Sequence, residues 1–262
     1  MKSKTKAWVN LGLFLLTLGV NFLGGTGRIN NSSQAEVSDT YQTLITPAGF
    51  TFSIWSVIYL LLLISMIVML VKHEDTYYKK AIDRITPLLW LSYVSNMIWI
   101  VLFSYIQIGL STIFIFAYLF SLTFIVKKLK DLSQNGEWLL PLTFGLNTGW
   151  LFIASVVNVA AFLVQIDWQG FGISDSTWAV TMMIVALLLV VLVGFSLQNA
   201  AFPLPIAWAF FGIYSELQAT GAAGSLVMTA FVSIICLIIL TVLIFIRQLK
   251  KTTPPTQFKE AI

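Results

Sequence analysis

Residues 48–71 read AGFTFSIWSVIYLLLLISMIVMLV, an apolar run closed by Lys72-His73-Glu74-Asp75. No charged side chain or histidine interrupts it, and its length matches the roughly 17 to 25 residues a helix needs to cross a bilayer. Further runs of the same kind recur along the chain. They place spans at about Trp8 to Gly25, Ala48 to Val71, Pro87 to Ile106, Leu110 to Val126, Leu139 to Val164, Thr177 to Ser196, Ala200 to Ser215 and Ala223 to Ile246. Backbone polar groups find no water in hydrocarbon, so each run is expected to close its hydrogen bonds internally as a helix. A membrane barrel would show short strands of alternating polarity instead. The expected fold is an all-α polytopic membrane bundle of about eight transmembrane helices.

The composition agrees. With 58% hydrophobic and 10% charged residues and a mean hydropathy of +0.89, the chain has too little polar surface to be soluble, and the lipid bilayer is its first partner. Of the 15 Lys and Arg residues, all but Arg28 fall on one side of the expected membrane. Lys2, Lys4 and Lys6 precede the first span, and Lys72, Lys79, Lys80 and Arg84 follow the second. Lys127, Lys128 and Lys130 follow the fourth, and Arg247, Lys250, Lys251 and Lys259 the eighth. The positive-inside rule then puts both termini in the cytoplasm, in a bacterial cytoplasmic membrane. The net charge of +4 is a topology signal, and no nucleic-acid partner is expected.

The first span has a basic start but no A-x-A-like cleavage site, and it ends in Gly24-Gly25-Thr26-Gly27, so it is read as a retained helix. Cys236 is the only cysteine and has no disulfide partner. His73 is read as a solvated loop residue rather than a metal ligand. The longest outer segment, Thr26 to Pro47, exceeds ordinary helix connections and is expected to be a lid or a disordered loop. The tail from Thr252 through Pro254-Pro255 is expected to be disordered.

Three segments resemble the TspO/MBR family, the tryptophan-rich sensory proteins and relatives of the peripheral-type benzodiazepine receptor. Pro47-Ala48-Gly49-Phe50-Thr51-Phe52-Ser53-Ile54-Trp55-Ser56-Val57-Ile58-Tyr59 is similar to P-P-x-W-x-F followed by V-W-x-x-x-Y. Asn96-Met97-Ile98-Trp99 is similar to N-x-x-W. Trp150 to Ala154 to Asn158, preceded by Pro141, is similar to W-x-x-x-A-x-x-x-N. Ala48 replaces the second proline, Phe50 the loop tryptophan, and one residue is missing between Phe52 and Trp55. The resemblance implies a five-helix unit over residues 1–165, a three-helix extension over 166–251 and a cytoplasmic tail over 252–262. It also implies a pocket for porphyrins and other flat hydrophobic molecules. Its five-helix members dimerise, so the resemblance admits a homodimer.

Helical spacing puts Asn147, Trp150, Ala154 and Asn158 on one stripe, Ser92, Asn96, Trp99 and Phe103 on another, and Trp55 with Tyr59 on a third. Asn10 and Asn21 share a face of the first span. Two readings fit these residues. In one they are packing glue, since Asn often only joins helices and Trp often only fills space. In the other, Trp55, Tyr59, Trp99 and Trp150 wall a ligand pocket, Ala154 leaves room, and Asn96 and Asn158 orient a planar ligand. Residues alone favour packing, and the resemblance favours the pocket. Trp8, Trp90, Trp138, Trp168 and Trp178 fall near span ends, where interfacial anchoring explains them. Trp208 takes no role from its position.

The expected function is therefore a membrane receptor or binding protein for a planar hydrophobic ligand such as a tetrapyrrole, with no bound cofactor and no metal site. The alternative is a transporter of a small hydrophobic molecule without ion coupling, since only Glu216 approaches a span and it sits at an outer end. No catalytic residue is expected, because the spans lack acid–base, nucleophile and phosphate-binding constellations. The resemblance leaves open a light-dependent porphyrin breakdown through pocket tryptophans. Haem would lack an intramembrane histidine as axial ligand, and porphyrin carboxylates at the outer mouth would find only Arg28. Reporters fused after residues 107 and 170 are expected to read as outside, and those after 131 and 255 as inside. An outside reading at 255 would show a miscounted span.

Overall fold

The computed structural model describes residues 1–132 and 137–252, with side chains as far as Lys250. The helices are α1 (Ser3–Gly25), α2 (Gln34–Thr40), α3 (Ile54–Val71), α4 (Thr76–Ser104), α5 (Ile108–Lys130), α6 (Leu139–Gln165), α7 (Asp175–Leu197), α8 (Pro203–Ala219) and α9 (Gly224–Thr252). Short 3-10 turns occupy Gly49–Ser53 and Gly170–Gly172, and no strand occurs among the described residues. The protein is an all-α helix bundle of the membrane. Beyond Thr252 the expected tail, with Lys259, lies outside the described residues.

Seven segments are long and apolar enough to cross a membrane: α1, α3 with the turn before it, α4, α5, α6, α7 and α9. The seventh expected span corresponds to α8, which has 17 residues and is therefore about 25 Å long. It is short because the connection before it is folded into the bundle. Gln198 closes α7 in the left-handed region with φ 51°, Asn199, Ala201 and Phe202 are buried, and Pro203 takes the first helical position, where its missing N–H costs nothing. At the third span, α4 begins at Thr76 rather than near Pro87. The Asp75 carboxylate accepts the Tyr77 and Tyr78 N–H groups at 3.0 and 3.1 Å, capping the helix before the apolar run begins. Pro87 sits inside the helix.

Helix α4 is the hub of the first half, packed on α1 and α5, while α6 packs on α5 and α3. Helix α8 lies against α6 and α9, and α7 lies against α9. Three contacts, together with the packing of α4 on α5, put the start of α1 and the end of α9 at one end of the bundle. Lys6 Nζ reaches Asp83 at 2.7 Å, Lys130 Nζ donates to the Ser196 carbonyl at 3.0 Å, and Gln248 donates to the Gln198 carbonyl at 2.8 Å. Large apolar side chains such as Leu60, Ile113, Phe120 and Leu192 face outward, as lipid contact requires. Trp8 and Trp138 are exposed near helix ends. Trp90 is not simply an anchor: its indole N–H donates to Asn10 Oδ1 at 2.9 Å, because that amide on α1 offers the acceptor inside the bundle.

Close approach of α8 to α6 depends on Gly145 and Gly149, one turn apart on α6. A Cβ at Gly149 would overlap the Phe202 carbonyl oxygen, and one at Gly145 the Asn199 side chain. That side chain donates to the Pro141 carbonyl at 2.8 Å and accepts the Ala201 N–H at 2.9 Å, sealing the junction. Gly149→Ala is expected to lower stability by about 1–3 kcal/mol through overpacking. Gly12→Ala, where nothing lies within 4 Å, should be neutral or stabilising. Thermal unfolding of the two purified variants in detergent compares them directly.

Candidate functional site

Three helices turn tryptophans toward one cavity. Trp55 comes from the first turn of α3, Trp99 from α4 and Trp150 from α6, and all three line a cavity of about 50 Å³ with Phe52, Phe103, Ala154, Val157 and Asn158. The rings pack on one another: Trp55 lies 6.3 Å from Trp99 and 5.9 Å from Trp150 between ring centroids, the latter edge to face. Phe52 meets Trp150 edge to face at 6.2 Å. No Asp, Glu, Lys, Arg or His lines the cavity. Its volume holds a few waters and nothing as large as a planar ring system.

The asparagine at this wall is bonded to protein. Asn158 Oδ1 accepts the Trp99 indole N–H at 3.0 Å, and its amide donates to Thr112 at 2.7 Å and to Ser111 at 3.3 Å. One side chain thus ties α4, α5 and α6 together. Tyr59 and Asn96 do not line the cavity. Tyr59 donates to Asn21 Oδ1 at 2.5 Å, and Asn21 donates to Asn96 Oδ1 at 2.9 Å. That chain links α3, α1 and α4 deeper in the bundle. Tyr59 meets the cavity only through Trp55, stacked on it at 5.2 Å with 11° between planes. Two buried donors at the cavity, the Trp150 indole N–H and the Gln34 amide, find no acceptor among the described residues.

The roof has two parts. The first is α2, which brings Gln34 and Ser38 to the cavity. Ser33 accepts the Glu36 N–H at 3.2 Å, and Glu36 accepts the Ser33 N–H at 2.7 Å, a reciprocal cap. The bond from the Ser33 backbone holds the Glu36 carboxyl below its ordinary value. The cap is therefore complete at neutral pH and weakens as pH falls through that lowered value. The second part is the segment from Pro47 to Ser53, which supplies Pro47 and Phe52. Its Ala48 N–H donates to the Gly212 carbonyl at 3.2 Å, and the Trp208 indole N–H donates to the Thr51 carbonyl at 3.0 Å. Phe50 packs edge to face on Trp208 and Phe211, and Ala209 of α8 lines the cavity itself.

A family model described as TSPO-like protein matches residues 7–246, most of the chain. The chain belongs to the TSPO-like protein family. Membership supports a general receptor or binding role in a helical membrane bundle rather than an enzymatic one. The match runs through α1 to α6 and on through α7 and α8 into α9. No curated protein and no solved structure matches. No group of His, Cys, Asp and Glu suited to a metal ion occurs among the described residues of this TSPO-like chain.

Sequence reasoning missed Gln34, Ser38, Trp208 and Ala209. The S-x-x-E pattern of Ser33 to Glu36 marks a helix start and could have revealed α2. Nothing local marks Trp208, whose partner Thr51 belongs to a distant segment. Arg28 lies away from the cavity, exposed and 5.7 Å from the centroid of the Phe22 ring. Asn158→Ala is expected to cost roughly 1 to 2 kcal/mol, because it removes bonds to three residues on two neighbouring helices and leaves the Trp99 donor unpaired. Equilibrium unfolding in mixed micelles, followed by far-ultraviolet circular dichroism, checks it.

Proposed function

We propose that this TSPO-like chain is an integral membrane binding protein whose ligand is a planar hydrophobic molecule, such as a tetrapyrrole, held among Trp55, Trp99 and Trp150. The observation that carries this reading is the convergence of three tryptophans from three helices on one uncharged cavity under a two-part roof. Ala154 supplies space at the wall, and the unpaired Trp150 N–H offers the ligand a donor. Asn158, Asn96 and Tyr59 act by holding the walls in place. A cavity of about 50 Å³ is too small for such a ligand, so in this reading α2 moves outward on binding while the tryptophans stay on their helices. Residues 1–165 would then hold the ligand, residues 166–251 would support that unit, and the cavity would open away from the cytoplasm, following the basic-residue asymmetry. A ligand's carboxylates would remain at the mouth, since no cation lines the interior.

Ala154→Leu is expected to fill the cavity and weaken porphyrin binding at least about ten-fold, the effect of about 1.4 kcal/mol, with little loss of folding. The lipid-facing Phe120→Leu should bind as the wild type does. Quenching of tryptophan emission by porphyrins, sterols and unrelated flat aromatics reads both affinity and ligand class. Equal affinity in wild type and a properly folded Ala154→Leu protein would show that this face serves packing alone.

A further inference from the structure

The two halves of the roof are held very differently. Helix α2 rests on a small apolar cluster in which Val37 and Tyr41 meet Phe103, Ile108, Ala161 and Phe162. Near its end Gln42 donates to Glu216 at 3.2 Å, an exposed contact. The segment from Pro47 to Ser53 is instead anchored on both backbone polarities. Its Ala48 N–H goes to the Gly212 carbonyl and its Thr51 carbonyl takes the Trp208 indole. Thr51 is completely buried, and its hydroxyl turns back to the Ala48 carbonyl at 2.6 Å, which fixes the turn. A Cβ at Gly212 would overlap Thr51 Cγ2 and crowd Pro47, so the segment lies directly on the α8 backbone. All of these partners are on one helix, and that helix also gives Ala209 to the cavity wall.

We infer that α8 is a working part of the binding site: Trp208 and Gly212 are positioning residues that dock the Pro47–Ser53 segment, and docking keeps the ligand from leaving on that side. The inference rests on the cavity being the binding site proposed above. Buried backbone groups near the mouth must find partners within the protein. In this fold the Ala48 and Thr51 groups find them on α8. With that half fixed, exchange of ligand occurs at α2. A ligand pressed against Phe52 and Pro47 meets a wall that cannot yield without breaking the two bonds to α8. The three-helix extension thereby acts on the residence time of the ligand without contributing charge or a reactive group. Trp208 acts through Thr51 and not by touching the ligand.

The experiment compares wild type, Trp208→Phe and, as a lipid-facing control on α8, Leu204→Ala, all as full-length protein in nanodiscs. Trp208→Phe keeps a ring against Phe50 and removes the indole donor. Amide hydrogen exchange over residues 48–53 should accelerate about three- to ten-fold, as loss of one hydrogen bond implies, while residues 34–40 are unchanged. A free-base porphyrin, followed by tryptophan quenching, should dissociate faster by a similar factor. Gly212→Ala, which must displace Thr51, should accelerate both further. Unchanged exchange at 48–53 in Trp208→Phe would overturn the docking role. Faster exchange with unaltered porphyrin release would overturn the link to the ligand and leave the binding function standing. If wild type binds no porphyrin, the binding reading fails, and the exchange comparison by itself decides whether α8 holds the segment.

Discussion

In hydrocarbon a polar side chain has only other protein groups to bond, and the structure depends on how this chain meets that constraint. Asn158 is the centre of one solution. It takes the Trp99 donor from α4 and gives its own donors to Ser111 and Thr112 on α5, so three helices are held at one depth. The same device recurs as Tyr59–Asn21–Asn96 across α3, α1 and α4, and as Trp90–Asn10–Thr86 between α4 and α1. Lipid supplies little hydrophobic drive between helices, so such knots and close packing determine which faces meet.

The tryptophan cavity is a consequence of those knots. Trp99 is held by Asn158, and Trp55 is stacked on a tyrosine that is itself bonded to Asn21. The aromatic walls are therefore preorganised by groups that do not line the cavity, apart from Asn158, whose bonds are already made within the protein. An amide that looks in sequence like a ligand contact serves here to aim an indole. The Trp150 N–H and, from the roof, the Gln34 amide are the donors left over at the cavity.

Glycine makes the second half of the chain part of the first. Gly145 and Gly149 let the start of α8 sit on the backbone of α6, and Gly212 lets the Pro47–Ser53 segment sit on the backbone of α8. Helix α8 consequently runs from the junction with α6 to the mouth of the cavity, touching both walls and roof. Its short length and the buried turn before it follow from the same close fit.

The apolar runs, their helical nature and the one-sided placement of Lys and Arg were all legible in the sequence, because span length, backbone satisfaction in lipid and charge asymmetry are local or additive properties. The stripes carrying Trp55, Trp99, Trp150 and Ala154 were legible for the same reason, since helical period fixes which residues share a face. Which stripes meet was not. Asn96 and Asn158 have the same chemistry and each shares a helical face with a tryptophan, yet one lies on a deeper polar chain and the other at the cavity wall. That difference is set by the relative depth and rotation of α1, α4 and α6. Trp208 gave no local signal at all, because its partner Thr51 becomes a neighbour only when α8 packs beside the turn leading into α3. The sequence by itself determined the long apolar helices. Only the tertiary structure decided that α8 holds the Pro47–Ser53 half of the roof, since contacts between segments so far apart depend on packing at glycines and on buried hydrogen bonds, which no window of sequence contains.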